Sequence, residues 1–207
     1  MKPAHFESKK QFRYLFKEGS SKHARKKLLI ALHGYGQLTP YFSKKFEGLE
    51  MYTSLLFPEG MHRFYLNGTS GRVGASWMTK EDRLIDIEDN LHWLTELLEF
   101  IKTQHEFEEI NLLGFSQGGA TAARWCFKQP SYFQRLIMWA SVFPPDIGQI
   151  EKEVSNGIFI VGNKDPYFKD ELESTFEYYR SHKYEVIRFS GAHDIDLPTL
   201  KSLYNEK

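Results

Sequence analysis

Cysteine is almost absent: Cys126 is the only one in 207 residues. A lone cysteine can neither close an internal disulfide nor build a thiolate cage for zinc, so a disulfide scaffold and a Cys-type zinc site are excluded. Long apolar runs are missing as well. No stretch approaches the ~18 uncharged apolar residues that a membrane-spanning helix needs. The start, Met1-Lys2-Pro3-Ala4-His5-Phe6-Glu7, has no apolar core of a secretory signal. A reducing, cytoplasmic setting is therefore expected. Net charge is also lacking: 27 basic and 27 acidic residues cancel, and the isoelectric point lies near 7.1. That balance argues against a nucleic-acid partner. No H-E-x-x-H or comparable spacing occurs, so neither a catalytic metal nor another cofactor is expected. There is no internal repeat and no low-complexity tract.

What is present is an ordinary globular composition, 41% apolar and 26% charged, of a length that fits one domain over residues 1–207. Charge is unevenly placed. Residues 1–27 hold nine Lys/Arg against two Glu, whereas residues 81–109 hold ten Asp/Glu against two Lys/Arg. An anionic partner is one reading of the basic start. Its alternation with Phe12, Tyr14 and Phe16 favours the other, in which residues 1–26 form a basic edge-strand region that resists aggregation. Short apolar runs alternate with longer amphipathic ones. Strands are predicted at Gln11–Lys17, Leu28–Leu32, Ser54–Phe57, Ile110–Phe115, Leu136–Ala140, Ile158–Val161 and Tyr184–Phe189. Helices are predicted at Tyr41–Leu49, Gln117–Phe127, Leu172–His182 and Pro198–Tyr204. Another follows a capping box at Thr79-Lys80-Glu81-Asp82, with Leu84, Ile87, Leu91, Leu94, Leu98 and Ile101 on its apolar face and its acids largely solvated. Glu59–Lys80, with four glycines, reads as a long surface loop. Alternating strands and helices imply an α/β fold: a mainly parallel sheet with helices on both faces and chemistry at the strands' carboxyl ends.

One of those ends carries Gly114-Phe115-Ser116-Gln117-Gly118-Gly119. This G-x-S-x-G turn between a strand and a helix exposes a strained serine at a helix N-terminus, where the backbone dipole favours developing negative charge. A serine needs a base. His193 follows the last strand, downstream of the serine as the order serine, acid, histidine requires. The orienting acid is expected at Asp165, one strand earlier, with Asp146 in reserve. Asp194 and Asp196 lie too close in sequence to His193 to serve. An oxyanion needs two preorganised donors. The Gln117 N–H is one; the Tyr35 N–H, in His33-Gly34-Tyr35-Gly36 after an early strand, is the other. Cys126 reads as a small buried residue on the helix after Ser116.

At these points the sequence resembles the α/β-hydrolase superfamily, and within it the phospholipase/carboxylesterase group that includes acyl-protein thioesterases. The resemblance is carried by Leu32-His33-Gly34-Tyr35-Gly36, Gly114–Gly119, Gly162-Asn163-Lys164-Asp165-Pro166 and Gly191-Ala192-His193, with Gly74-Ala75-Ser76-Trp77 similar to the family's aromatic loop. It implies a serine esterase or thioesterase working through an acyl-enzyme on a small-molecule ester or thioester. Ser116, His193 and Asp165 would form the triad, and Tyr35 and Gln117 the oxyanion hole. The family's first loop often carries an acid where Gln37 stands here. The length leaves no room for a large cap, which implies a shallow site. Trp77, Met78, Phe143 and Tyr167 are candidate substrate contacts, and Asp194 and Asp196 would disfavour anionic substrates. The alternatives are a catalytically inactive hydrolase-fold binding protein, or a small peptidase or acyltransferase using the same triad.

Overall fold

The computed structural model describes residues 4–147 and 156–204. Its strands are β1 (Tyr14–Lys17), β2 (Lys27–Leu32), β3 (Ser54–Pro58), β4 (His62–Tyr65), β5 (Val73–Ser76), β6 (Glu109–Phe115), β7 (Arg135–Trp139), β8 (Gly157–Gly162) and β9 (Glu185–Phe189). Its α-helices are α1 (Lys22–Arg25), α2 (Thr39–Phe42), α3 (Arg83–Lys102), α4 (Gln117–Lys128), α5 (Leu172–Ser181) and α6 (Leu197–Ser202). Seven strands form one sheet in the order β1-β3-β2-β6-β7-β8-β9. Only β1 runs antiparallel to its neighbour. The continuous apolar runs occupy the middle, where both faces are covered: β3 and β8 are buried at every position, and β2, β6 and β7 at all but the first. This is the expected α/β-hydrolase architecture.

The chain leaves β2, adds β3 on one side, then crosses to place β6 on the other side of β2. That reversal is a topological switch point. Loops leaving the carboxyl ends of β2 and β6 diverge there and open a crevice. The loops after β8 and β9 end at the same edge because all four strands are parallel.

Four expectations need correction. The Glu59–Lys80 segment contains a hairpin, β4 paired with β5 from His62↔Ser76 to Tyr65↔Val73. Its four-residue strands are too short for alternation to stand out between glycines. The helix expected from Thr79 begins at Arg83, after Asp82 at φ 45°, and no side chain caps it. Thr79 is used otherwise: its N–H donates to Asp86 Oδ2 at 3.0 Å. In addition, Leu84 is 75% exposed, while Asp86, Asn90, Trp93 and Leu97 are buried. At 3.6 residues per turn these four extend the buried stripe to one side and leave Leu84 on the opposite margin. The Tyr41–Leu49 helix is also broken, into α2 and a 3-10 turn at Ser43–Phe46.

The basic start is partly neutralised within the chain. Arg13 forks onto Glu59 at 2.6 and 2.9 Å, and Lys17 meets Glu50 at 2.6 Å. Lys26 and Lys27 meet Glu106 and Glu109 at 3.2 and 3.6 Å, so part of the basic segment faces part of the acidic one. Among the described residues no helix is long and apolar enough to cross a membrane.

Candidate active site

Ser116 occupies the turn between β6 and α4 at φ 52° and ψ −120°. A non-glycine residue there costs on the order of 1–3 kcal/mol and persists only where its surroundings force it. They do. The Ser116 N–H donates to the Trp139 carbonyl at 2.9 Å, and its own carbonyl accepts from the Gly119 N–H at 3.0 Å. The turn also requires missing side chains: a Cβ on Gly114 would strike Gly119, and one on Gly118 would strike the Leu32 carbonyl at the end of β2. The β6–α4 turn is thereby pressed against the β2 loop. Gly34 lies so close that a Cβ there would stand 3.2 Å from Ser116 Cβ.

Within Gly34–Gln37 of the β2 loop one amide is uncommitted. The Gly34 N–H donates to Gln37 Oε1 at 2.9 Å, the Gly36 N–H to the Ala75 carbonyl at 2.9 Å and the Gln37 N–H to the Gly34 carbonyl at 3.3 Å. Among the described residues no carbonyl accepts from the Tyr35 N–H between them. Gln117, in the first turn of α4, carries one of the N–H groups that a helix leaves unpaired. Both expected oxyanion donors thus belong to segments packed around Ser116.

His193 and Asp165 are brought together from the loops after β9 and β8. His193 Nδ1 lies 2.7 Å from Asp165 Oδ2, and Asp165 is buried. The second carboxylate oxygen accepts the Tyr167 N–H at 3.0 Å. The imidazole lies 4.9 Å from the ring of Phe115, the residue before the serine, and 4.6 Å from the ring of Tyr167. Among the described residues no hydrogen bond joins Ser116 Oγ to His193, whose ring is bonded to Asp165. The reserve acid Asp146 is engaged elsewhere: Arg124 holds it through bonds of 2.6 and 2.8 Å and Arg83 at 3.0 Å. The Arg124 hydrogen bond pulls its pKa down to about 2.

The candidate substrate contacts divide. Tyr167 is 77% exposed and stands over the imidazole. Met78 is half-buried; its carbonyl accepts from Ser76 Oγ at 2.7 Å and Gln117 Nε2 at 3.2 Å. Trp77 is fully buried: its indole N–H donates to the His33 carbonyl at 2.8 Å and its ring stacks on Trp93. Its bulk supports the β2 loop from beneath and lines no open surface. Phe143 packs among Phe127, Tyr179 and Tyr184. It borders a groove of about 280 Å³ with Val142, Ser174, Thr175, Tyr178 and Tyr179, which holds none of Ser116, Asp165 and His193. Asp194 and Asp196 both have partners within the chain. Asp194 pairs with Lys45 at 2.5 Å, and Asp196 caps α6 through Thr199. The Lys45 ammonium offsets the Asp194 charge, whereas the Asp196 carboxylate keeps its charge at the start of α6. Cys126 is buried, and burial pushes its thiol up to about 12, so it is no nucleophile.

Sequence reasoning missed the supports beneath the site. His33 is fully buried; its Nε2 accepts the Gly60 N–H at 2.9 Å, which leaves the ring proton on Nδ1, bonded to the Gly34 carbonyl at 2.8 Å. Burial lowers its pKa to about 4, so it stays neutral while it ties the β2 loop to the segment after β3. Glu59, next to Gly60, is a buried carboxylate bonded by Arg13, Arg63 and both the N–H and hydroxyl of Thr39. Burial alone would raise its pKa, but these donors outweigh it and hold the carboxyl below the usual range. The Gln117 side chain spans to the β5 loop, accepting from the Trp77 N–H at 3.2 Å and donating to Ser76 Oγ at 3.0 Å. The only signal in the sequence was position, since each of these residues flanks a motif or a strand end.

A family model described as serine hydrolase (FSH1) matches residues 21–206, and the chain belongs to that family. No curated protein matches it in sequence. Among solved structures it is similar to esterase PE8, with 18% identity, TM-score 0.67 and coverage of 94% of this chain and 96% of that one. It is similar to Zea mays acyl-protein thioesterase 2, with 15% identity, TM-score 0.65 and coverage of 92% and 95%. It is similar also to a carboxylesterase from Mesorhizobium loti, with 14% identity, TM-score 0.66 and coverage of 93% and 92%. At these identities the likeness is one of fold, and it agrees with the α/β-hydrolase resemblance carried by the motifs.

Proposed function

We propose that this serine hydrolase cleaves carboxylic esters or thioesters through an acyl-enzyme, with Ser116 as nucleophile, His193 as general base and Asp165 as the acid that orients it. The observation that carries the reading is the buried Asp165–His193 bond of 2.7 Å beside a strained serine at a helix N-terminus. Ser116 Oγ attacks the carbonyl carbon as His193 Nε2 takes its proton. Asp165 keeps the other ring proton on Nδ1 and stabilises the imidazolium. The oxyanion accepts from the N–H groups of Tyr35 and Gln117, helped by the dipole of α4. His193 then gives its proton to the leaving oxygen or sulfur as that bond breaks. Water, deprotonated by His193, releases the acid from Ser116.

The residues flanking this centre favour small acyl groups, because the candidate contact Trp77 is buried while the rings of Tyr35 and Tyr167 are exposed. The test is hydrolysis of p-nitrophenyl esters from acetyl to decanoyl, with Ser116→Ala as control. Activity highest at short chains and reduced about 10⁴-fold or more in the variant is expected. Near-full activity in Ser116→Ala would overturn the assignment. Labelling of the native enzyme by a fluorophosphonate, absent in the variant, separates it from an inactive scaffold.

A further inference from the structure

Two tyrosines flank the proposed centre with their rings in solvent. Tyr35, 62% exposed, stands on the oxyanion side and leans on Phe64 at 5.0 Å. Tyr167, 77% exposed, stands on the histidine side, 4.6 Å from the imidazole with the ring planes at 61°. Tyr167 is held in place: its N–H is bonded to the same Asp165 carboxylate that holds His193, so ring and imidazole are positioned as a unit.

We infer that Tyr167 reads the leaving group, and that the favoured substrates carry an aromatic or planar alcohol or thiol there. This rests on the hydrolase reading above. In that chemistry the oxyanion points toward the Tyr35 and Gln117 amides, and the departing oxygen or sulfur points toward His193, which protonates it. When the C–O or C–S bond of the tetrahedral intermediate breaks, the electron pair goes to the leaving atom and the His193 proton neutralises it. The free alcohol or thiol is then released. The group attached to that atom lies beside His193, where Tyr167 offers an uncovered phenol ring. An aromatic partner in offset or edge-to-face contact gains beyond simple area burial, roughly a 2- to 12-fold preference over a saturated ring of equal size. The carboxylates nearest in sequence do not compete for the space, since Asp165 is bonded to His193 and Asp194 to Lys45.

The test is the ratio of kcat/KM for benzyl acetate to that for cyclohexylmethyl acetate, whose alcohols match closely in size and acidity. Wild type is expected to favour the benzyl ester by about 3- to 10-fold. Tyr167→Phe should keep that ratio and Tyr167→Ala should bring it near one. A ratio near one in wild type would overturn the inference. So would an unchanged ratio in Tyr167→Ala, which would mean that the ring only supports His193, or a ratio lost in Tyr167→Phe, which would assign the preference to the hydroxyl. Absence of Ser116-dependent hydrolysis of either ester, or of any p-nitrophenyl ester, would instead overturn the hydrolase reading on which the inference stands.

Discussion

Protonation of His33 should undo the support beneath the β2 loop, and its magnitude can be worked out. In the folded chain Nε2 accepts the Gly60 N–H, and a protonated ring would set two donors face to face there. Burial therefore lowers the pKa from 6.5 to about 4. Between these values the unfolded chain binds a proton that the folded chain refuses. Stability then falls as pH drops through 6.5, and the loss is complete near pH 4, where the folded ring also titrates. A gap of that size, at 1.36 kcal/mol per unit, amounts to roughly 3 kcal/mol. Urea unfolding of wild type and of His33→Gln at intervals from pH 7 to pH 4 isolates this term. Other acids, Glu59 among them, titrate in both proteins, so the difference between the two curves reports His33. Wild type is expected to lose about 3 kcal/mol more than the variant across that range. A difference that stays flat from pH 7 to pH 4 would refute the assignment of a neutral, buried, Nε2-accepting histidine.

Replacing Asp165 by Asn should preserve the fold but lower kcat about 10⁴-fold, because an amide favours the wrong imidazole tautomer. Steady-state kinetics with a p-nitrophenyl ester checks this, and a loss under tenfold would speak for a different orienting acid. Glu59→Gln removes a charge that accepts from Arg13, Arg63 and Thr39. It should cost about 2 kcal/mol, less than for a fully buried pair, because both arginines are partly exposed. Urea midpoints at pH 7 measure it, and an unchanged midpoint would show that the network does not hold β1 to the segment after β3.

Much of this protein was legible from local pattern. Runs such as Leu28–Leu32 and Ile158–Val161 are apolar at every position because they sit inside a sheet covered on both faces. Gly114, Ser116 and Gly118 announce a turn whose sterics are set within a few residues. His193 and Asp165 were found by chain order alone, which a parallel sheet converts into a shared edge. Where the period was short or interrupted, pattern failed: β4 and β5 are four residues each, and α3 begins three residues beyond its apparent cap signal.

What the sequence by itself determined was the alternation of strands and helices and the one serine whose backbone must be strained. Both follow from interactions between near neighbours, and hydrophobic period and glycine sterics need no distant partner. Tertiary structure alone decided the rest. It set Asp165 against His193, gave Asp146 to Arg124, buried Trp77 as a support and left Tyr167 in water over the imidazole. It also made His33 and Glu59 into props for the site. Those roles depend on groups that meet from distant parts of the chain, as His33 and Gly60 do at a separation of 27 and Arg124 and Asp146 at 22. Such meetings are set by the order and register of the strands, which no local pattern encodes.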